Sequence, residues 1–302
     1  MMTNARLRRI IKGVIITPLM LVLFACNKSD DVCAGNEDAL ILNHNGLNRE
    51  YILYQPQGHD GTSPLPVVLN FHGYGGFAAD HMQYADMRNL ADQENFILVY
   101  PQGSCLDGAP HWNSLLAGSD NKSDAEDIAF ISDLIDEIAQ NYVIDLERIY
   151  ACGYSNGGMM SYALACALSD RIAAIGSISG TMLDWPEICD PAHPTPVIIF
   201  HGTNDDVLPY EGNSGFTSVS YAVDYWTSFN ELGASPSQTD IFSNGSRVVE
   251  YESYGPGLNS VSLDLYRVIQ GGHYWFDQST LGFRLNQTLW DFFNRYDING
   301  LR

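Results

Sequence analysis

A serine stands between glycines in the stretch "GYSNGG", which covers residues 153–158. The apolar run "RIYAC" precedes this stretch, and "MMSYALACALSD", with the spacing of a helix, follows it. A G-x-S-x-G pattern at such a join holds its serine on a strained strand–turn–helix corner, from which the hydroxyl projects outward. Ser155 is therefore a candidate nucleophile. The alternative is that the turn is only a tight connection.

Two further stretches carry residues that a nucleophilic serine needs. In "VIIFHGTNDDVLPY" a predicted strand ends at His201, and Asp205 and Asp206 follow it. Either carboxylate could orient a histidine and stabilise its charged form. The histidine candidate is His273, in "YRVIQGGHYWF". The chain order Ser155, acid, His273 is the order of nucleophile, acid and base in α/β-hydrolases.

The stretch "NFHGYGG" follows an early apolar run and predicts a loop that supplies backbone donors. Catalysis by a serine nucleophile needs two preorganised N–H groups where the negative oxygen of the tetrahedral intermediate forms. We expect Asn156, directly after the nucleophile, to supply one, and Tyr74 to supply the other, with Gly75 as the alternative. His72 and His201 precede glycines at strand ends and are interpreted as hydrogen-bonding partners of the surrounding loops.

Short apolar runs alternate with amphipathic stretches along the chain, which predicts a doubly wound, mostly parallel sheet with helices on both faces. Ligands of such sheets bind beyond the carboxyl ends of the strands, where the candidate residues lie. One predicted helix opens with "SDAE", residues 123–126, which fits a capping box. The predicted strands are 49–56, 66–73, 95–101, 148–153, 172–179, 196–202 and 262–269, and the predicted helices are 80–93, 123–141, 156–169, 217–232 and 283–295.

Composition narrows the functional classes. The 302 residues are 45% hydrophobic and carry a formal net charge of −21, with 36 acidic and 15 basic side chains. A surface of this sign repels phosphate backbones, so we expect no nucleic-acid partner. No metal-ligand spacing or phosphate-binding glycine loop is present, and "DAED", residues 124–127, is interpreted as the start of a helix. No metal and no cofactor are expected.

The first residues have the pattern of an export signal. A basic stretch, "RLRRIIK", precedes the apolar run "GVIITPLMLVLF", which is too short to favour a permanent membrane helix. Residues 1–25 are therefore predicted to be a signal peptide. The end of the run, "LFAC", resembles the lipobox of bacterial lipoproteins, which would make Cys26 a lipid-modified anchor. Residues 26–37 would be a tether, and residues 38–302 one catalytic domain in an envelope-anchored protein.

Six cysteines in an exported protein indicate disulfides. If Cys26 carries lipid, five remain and at least one is unpaired. Cys152 lies in an apolar run and is predicted to be a buried thiol. The other four allow three pairings, among which spacing does not choose.

Taken together, these stretches resemble the α/β-hydrolase family that includes polyhydroxybutyrate depolymerase-like and feruloyl or acetylxylan esterase-like enzymes. The resemblance runs from about residue 38 to residue 295. It rests on "NFHGYGG", "YPQG" with a later "WN", "DIAFISDLID", "RIYACGYSNGGMMSYALAC", "HGTNDDVLPY" and "GGHYWF". It implies the α/β-hydrolase fold, Asp205 rather than Asp206 as the acid, and a disulfide between Cys166 and Cys189. Cys33 and Cys105 would then be the remaining pair.

The resemblance implies a serine esterase that acts on short or aromatic acyl esters of carbohydrate, with hydroxyalkanoate oligomers as the second substrate class. Trp112, Asn113 and Trp275 are predicted to contact the substrate, although both tryptophans could instead be core residues. Tyr274 departs from the smaller residue common in the family, which bears on the shape of the pocket. A serine peptidase and a catalytically silent surface-binding lipoprotein are the competing interpretations.

Overall fold

The continuously apolar runs of the sequence form the inner strands of a twisted sheet. The computed structural model describes residues 33, 36, 38–115, 123–184, 189–245, 247–276 and 278–302. Its strands are β1 (Leu40–His44), β2 (Leu47–Tyr54), β3 (Leu65–Phe71), β4 (Ile97–Pro101), β5 (Ser104–Leu106), β6 (Ala109–His111), β7 (Ile144–Tyr154), β8 (Ala174–Ile178), β9 (Val197–Gly202), β10 (Gln238–Asn244), β11 (Arg247–Tyr254), β12 (Leu263–Ile269), β13 (Tyr296–Asp297) and β14 (Gly300–Leu301). Its helices are α1 (Ala78–Tyr84), α2 (Arg88–Glu94), α3 (Asp127–Asn141), α4 (Asn156–Ala167), α5 (Val219–Phe229), α6 (Gln278–Leu281) and α7 (Leu285–Phe293), with a 3₁₀ turn at Leu258–Ser260.

The main sheet has the strand order β1-β2-β4-β3-β7-β8-β9-β12-β11-β10. The middle of the sheet, from β4 to β12, is parallel throughout. Antiparallel strands extend it at both edges, β1 and β2 on one side and β11 and β10 on the other. Because β3, β4, β8 and β9 are buried along their whole length, their sequences are apolar at nearly every position.

Helices cover both faces of the parallel strands. Neighbouring residues of a strand point to opposite faces, and Gly176 and Ser177 of β8 show which helix lies on each. A side chain at Gly176 would meet Leu289 and Phe293 of α7, at 2.8 and 3.2 Å. The Ser177 hydroxyl instead faces Gly158 of α4. The doubly wound, mostly parallel arrangement predicted from the alternating pattern is confirmed.

Several predicted elements differ from the observed ones. The helix expected over 80–93 is two helices, α1 and α2, and the helix expected from residue 123 begins only at Asp127. The capping-box prediction is wrong because the Ser123 hydroxyl lies 2.8 Å from His111 Nε2, and Glu126, at the N-cap position, makes no side-chain capping bond. The hairpins β5–β6 and β10–β11 were not predicted.

Two disulfides join segments of the chain that are distant in sequence. Within the described residues, Cys166 at the end of α4 is joined to Cys189, and Cys33 is joined to Cys105 of β5. Cys152 in β7 is free and buried. Burial raises the pKa of the Cys152 thiol, which keeps it protonated and unreactive.

The predicted signal peptide (1–25) and the lipid anchor at Cys26 lie outside the described residues, as does most of the predicted tether (26–37). Among the helices that the structure describes, none combines the length and the apolar composition needed to cross a membrane.

Candidate active site

Ser155 occupies the corner between β7 and α4. Its backbone has φ 55° and ψ −117°, outside the regions that residues with side chains normally adopt. The Ser155 N–H donates to Ile178 O at 2.9 Å, which fixes the corner to the end of β8. The serine is therefore held in a strained geometry by the neighbouring strand, as the nucleophile pattern predicts.

The glycines on either side of Ser155 are required by close backbone packing. A Cβ at Gly153 would lie 2.5 Å from the carbonyl carbon and oxygen of Gly157. A Cβ at Gly157 would lie 2.2 Å from Phe71 O and 2.7 Å from His72 O. The first turn of α4 thus packs directly against the end of β3. This contact brings the nucleophile next to the "NFHGYGG" loop.

Ser155, His273 and Asp205 form a continuous chain of hydrogen bonds. The His273 Nε2 atom lies 2.8 Å from Ser155 Oγ, and His273 Nδ1 lies 2.7 Å from Asp205 Oδ2. Since the carboxylate can only accept, Nδ1 carries the hydrogen and Nε2 is the acceptor for the serine hydroxyl. This arrangement allows the imidazole to remove the proton from the serine.

The Asp205 carboxylate is buried and held by several donors. Its Oδ1 accepts from the backbone N–H groups of Val207 and Leu208 at 2.9 and 2.8 Å. Buried His201 places Nε2 3.3 Å from Asp205 Oδ2 and 2.8 Å from Leu208 O. Burial alone would raise the pKa of Asp205, but hydrogen bonds from His201, His273 and Leu208 lower it below its ordinary value. Asp205 therefore stays ionised, whereas Asp206 is exposed.

Three contacts fix the loop that carries His273. The Tyr154 hydroxyl donates to His273 O at 2.8 Å, and the two rings lie 5.0 Å apart. The Ser179 hydroxyl donates to Tyr274 O at 3.1 Å. The Trp275 N–H donates to the Tyr84 hydroxyl at 2.8 Å. The imidazole is thus positioned by its backbone as well as by Asp205.

The "NFHGYGG" loop leaves β3 beside the start of α4. His72 Nδ1 donates to Gly73 O at 2.7 Å, and its Nε2 accepts from the Gly103 N–H at 2.9 Å. Gly75, the alternative oxyanion donor, already donates to Pro110 O at 2.7 Å. Asn156 is the first residue of α4, where backbone N–H groups have no partner within the helix. The loop and the helix start therefore lie together beside Ser155.

Trp112, Asn113 and Trp275 need correction as substrate contacts, because the structure buries all three. Trp112 has no exposed surface, and its indole N–H donates to His72 O at 3.0 Å. The side-chain Nδ2 of Asn113 donates to the backbone carbonyl groups of residues 123 and 125, at 3.1 and 2.8 Å. The Trp275 indole donates to Asn286 at 3.1 Å. These side chains lie behind the surface of the site.

The exposed aromatic side chains beside the site were not predicted. Tyr74 and Tyr84 are 58% and 50% exposed, and Phe77 between them is also exposed. The Tyr84 ring lies 5.7 Å from the Tyr154 ring, which in turn lies next to His273. No motif marks Tyr84 in the sequence, because it lies at the end of the short helix α1. Among the described residues, no group of three or more His, Cys, Asp or Glu side chains could hold a metal ion.

The chain is similar in sequence to known ester hydrolases. The sequence pattern of the phospholipase/carboxylesterase family matches residues 60–232. A probable feruloyl esterase C of Aspergillus clavatus is 31% identical over 250 residues, which cover 79% of this chain and 83% of that protein. Feruloyl esterase C of Emericella nidulans is 30% identical, over 82% of this chain and 86% of that protein.

A longer relative and a solved structure extend these findings. The bifunctional acetylxylan esterase/xylanase of Neocallimastix patriciarum is 27% identical over 84% of this chain, which spans only 34% of that protein. The acetyl xylan esterase from Aspergillus awamori superposes with a TM-score of 0.65 at 16% identity. The match covers 86% of this chain and 99% of that one. At this identity the superposition concerns the fold alone.

Proposed function

This chain belongs to the phospholipase/carboxylesterase family and is a carboxylic ester hydrolase, and we propose that it works through an acyl-enzyme formed on Ser155. His273 Nε2 accepts the hydroxyl proton while Ser155 Oγ attacks the ester carbonyl carbon. Asp205 keeps the imidazole in the required tautomer and stabilises its cationic form. The tetrahedral intermediate then collapses, and the alcohol leaves with the proton from His273.

A water molecule repeats the same steps on the acyl-enzyme. His273 takes a proton from the water as its oxygen attacks the acyl carbon, and the carboxylic acid is released when Ser155 recovers its proton. In both halves the backbone N–H groups of Tyr74 and Asn156 hold the negatively charged oxygen. Donors fixed in place before the reaction stabilise this charge without having to reorganise.

The hydrogen-bond chain from Ser155 through His273 to Asp205, with distances of 2.8 and 2.7 Å, is the observation that carries this proposal. A fluorophosphonate should label wild-type protein at Ser155, as peptide mapping by mass spectrometry would show. Ser155→Ala should abolish labelling and lower kcat for p-nitrophenyl acetate by about 10³-fold or more, because such residues act as a unit. An active, folded Ser155→Ala protein would contradict the mechanism.

We propose that the substrates are short or aromatic acyl esters of carbohydrate. The matched relatives of comparable length are feruloyl esterases, and the longer one is an acetylxylan esterase joined to a xylanase. The exposed rings of Tyr74, Phe77 and Tyr84 support this proposal, since flat aromatic surfaces suit a sugar face or a hydroxycinnamoyl ring. They replace Trp112 and Trp275 as the proposed substrate contacts, because the structure buries both tryptophans.

The substrate is tested by comparing kcat/KM for methyl ferulate, acetylated xylo-oligosaccharide and a 3-hydroxybutyrate dimer ester. The first two should be preferred, and Tyr74→Ala, which removes the exposed ring but keeps the backbone N–H, should lower their kcat/KM several-fold. Leu146→Ala is the matched control, because Leu146 is also exposed but lies near the opposite end of β7. A clear preference for the dimer would favour a hydroxyalkanoate oligomer hydrolase while leaving the esterase class unchanged.

We also propose that residues 1–25 direct export and that lipid on Cys26 anchors a catalytic domain covering residues 38–302. The lipobox-like "LFAC" supports this proposal, and the two disulfides are typical of an oxidising compartment. Cys26→Ser should move the protein from the membrane fraction to the soluble fraction without changing kcat. Continued membrane attachment of Cys26→Ser would mean that the uncleaved apolar run is the anchor.

A further inference from the structure

We propose that Trp112 is a positioning residue that holds both halves of the oxyanion hole in register. This inference rests on the proposed function, in which Tyr74 and Asn156 supply the two donors. The donors belong to separate elements, the loop after β3 and the first turn of α4. Oxyanion stabilisation requires both N–H groups to point at one place, so their relative position must be fixed.

The first contact joins Trp112 to the helix. Asn156 Oδ1 accepts from the Trp112 N–H at 2.7 Å, and Asn156 Nδ2 donates to Trp112 O at 3.0 Å. Both backbone polar groups of Trp112 are therefore used by one side chain. The two bonds fix the orientation of the Asn156 side chain and, through it, the first residue of α4.

The second set of contacts joins the same segment to the loop. The Trp112 indole N–H donates to His72 O at 3.0 Å, two residues before Tyr74. Pro110 O accepts from the Gly75 N–H at 2.7 Å, one residue after Tyr74. The segment 110–112 thus holds the backbone on both sides of the proposed Tyr74 donor.

The segment itself is firmly supported. The Trp112 ring is fully buried, at 5.1 Å from the Phe71 ring and 5.0 Å from the His72 ring. The next residue, Asn113, donates its N–H to the buried Asp127 carboxylate at 2.7 Å. On the other side, Pro110 pairs with Cys105 across the hairpin β5–β6, and Cys105 is disulfide-bonded to Cys33. Movement of the segment is therefore resisted from both ends.

A positioning role differs measurably from a purely structural one. Oxyanion donors act on the transition state more strongly than on the bound ester, so their misplacement lowers kcat and leaves KM nearly unchanged. A residue needed only for packing would lower the melting temperature without this selective effect. Trp226 offers a matched control, because it is fully buried in α5 and its indole nitrogen has no hydrogen-bond partner among the described residues.

The test uses Trp112→Phe, which removes the indole donor to His72 O but keeps an aromatic ring. The kcat for p-nitrophenyl acetate should fall about 10- to 100-fold with KM changed less than two-fold. Inhibition by a trifluoromethyl ketone, which forms a tetrahedral oxyanion adduct on serine, should weaken by a similar factor. Trp226→Phe should retain wild-type kcat and inhibitor affinity.

A second variant keeps the test decisive if Trp112→Phe does not fold. Asn156→Ala removes both side-chain bonds to Trp112 and leaves its own backbone N–H in place, so kcat should again fall selectively. In the double variant, the fold-loss in kcat should be smaller than the product of the two single losses, since both substitutions act on the same segment, residues 110–112. A wild-type kcat in a folded Trp112→Phe or Asn156→Ala protein would overturn the positioning role. Failure of wild-type protein to react with fluorophosphonate at Ser155 would instead overturn the proposed function.

Discussion

At the scale of single residues, the reactive serine stores backbone strain that its surroundings must support. A positive φ in a residue with a side chain costs roughly 1–3 kcal/mol. At Ser155 this conformation is maintained by the bond to Ile178 O and by the close approach of Gly157 to Phe71. The same corner directs Oγ towards His273 Nε2 at 2.8 Å. Strain and reactivity thus have one structural origin.

The two adjacent aspartates should differ sharply in their effect on catalysis. In Asp205→Asn the side-chain amide can donate to His273 Nδ1, which would favour the tautomer that cannot accept the Ser155 proton. We expect kcat for p-nitrophenyl acetate to fall about 10³-fold or more. Asp206→Asn is the control and should stay within two-fold of wild type, because Asp206 is exposed. A larger loss in Asp206→Asn than in Asp205→Asn would reverse the assignment of the acid.

At the scale of elements, α4 can start where it does only because its first turn lacks side chains that would meet β3. In Gly157→Ala the added methyl would lie 2.2 Å from Phe71 O, a backbone atom that cannot rotate away. We expect loss of soluble folded protein or a large drop in melting temperature, measured by differential scanning fluorimetry. Gly215→Ala is the control, since its methyl would approach Asn213 no closer than 3.6 Å. Wild-type stability in Gly157→Ala would contradict the packing described.

The disulfides close loops of different length and should contribute unequally to stability. The pair Cys33–Cys105 spans 72 residues and Cys166–Cys189 spans 23. In the chain-entropy description, closing the longer loop contributes about 4 kcal/mol to the free energy of unfolding, and closing the shorter loop contributes about 3 kcal/mol. Replacing Cys33 and Cys105 by serine should therefore lower the free energy of unfolding, measured with urea, more than replacing Cys166 and Cys189. The opposite ranking would show that chain entropy does not govern these bonds.

The sequence predicts the elements that are buried on both sides better than those at the edges. The runs at β3, β4 and β9 are apolar at nearly every position, so composition alone marks them as strands. The hairpin β10–β11 is polar and partly exposed, and its "QTDIFSN" strand has no distinctive period. Motifs with a required chain order marked Ser155 and His273. The sequence does not decide whether Trp112 contacts the substrate or belongs to the core, because an aromatic residue beside a glycine loop can line a pocket or lie beneath it.

At the scale of the whole molecule, the net charge of −21 sets which polymers can approach. Long-range repulsion slows the encounter with polyanions, whereas neutral acylated oligosaccharides are unaffected. The parallel strands direct Ser155, Asp205 and His273 to the same edge of the sheet, as expected for doubly wound sheets. The acidic surface and the site at the strand ends are therefore both compatible with neutral carbohydrate esters.

Two buried histidines should make the whole fold sensitive to mild acid. Burial lowers the pKa of His72 to about 4 and that of His81 to about 3, from an ordinary value of 6.5. Protonated His72 could no longer accept the Gly103 N–H at Nε2. The unfolded chain takes up protons between pH 6.5 and 4 while the folded chain does not, so stability is complete above pH 6.5 and falls as the pH drops.

Each of the two histidines should contribute a slope of up to about 1.4 kcal/mol per pH unit in this window. The free energy of unfolding in urea should therefore decrease steadily from pH 7 to pH 4.5. In His81→Gln, where an amide can still donate to Asn70 Oδ1 as His81 Nε2 does at 2.8 Å, the slope should be roughly half as steep. Asp205 adds little to the slope above pH 4.5, because a carboxylate with a lowered pKa loses its contribution mainly as the pH falls through its ordinary value of about 3.9. Identical slopes for wild type and His81→Gln would show that the buried imidazoles do not control acid stability.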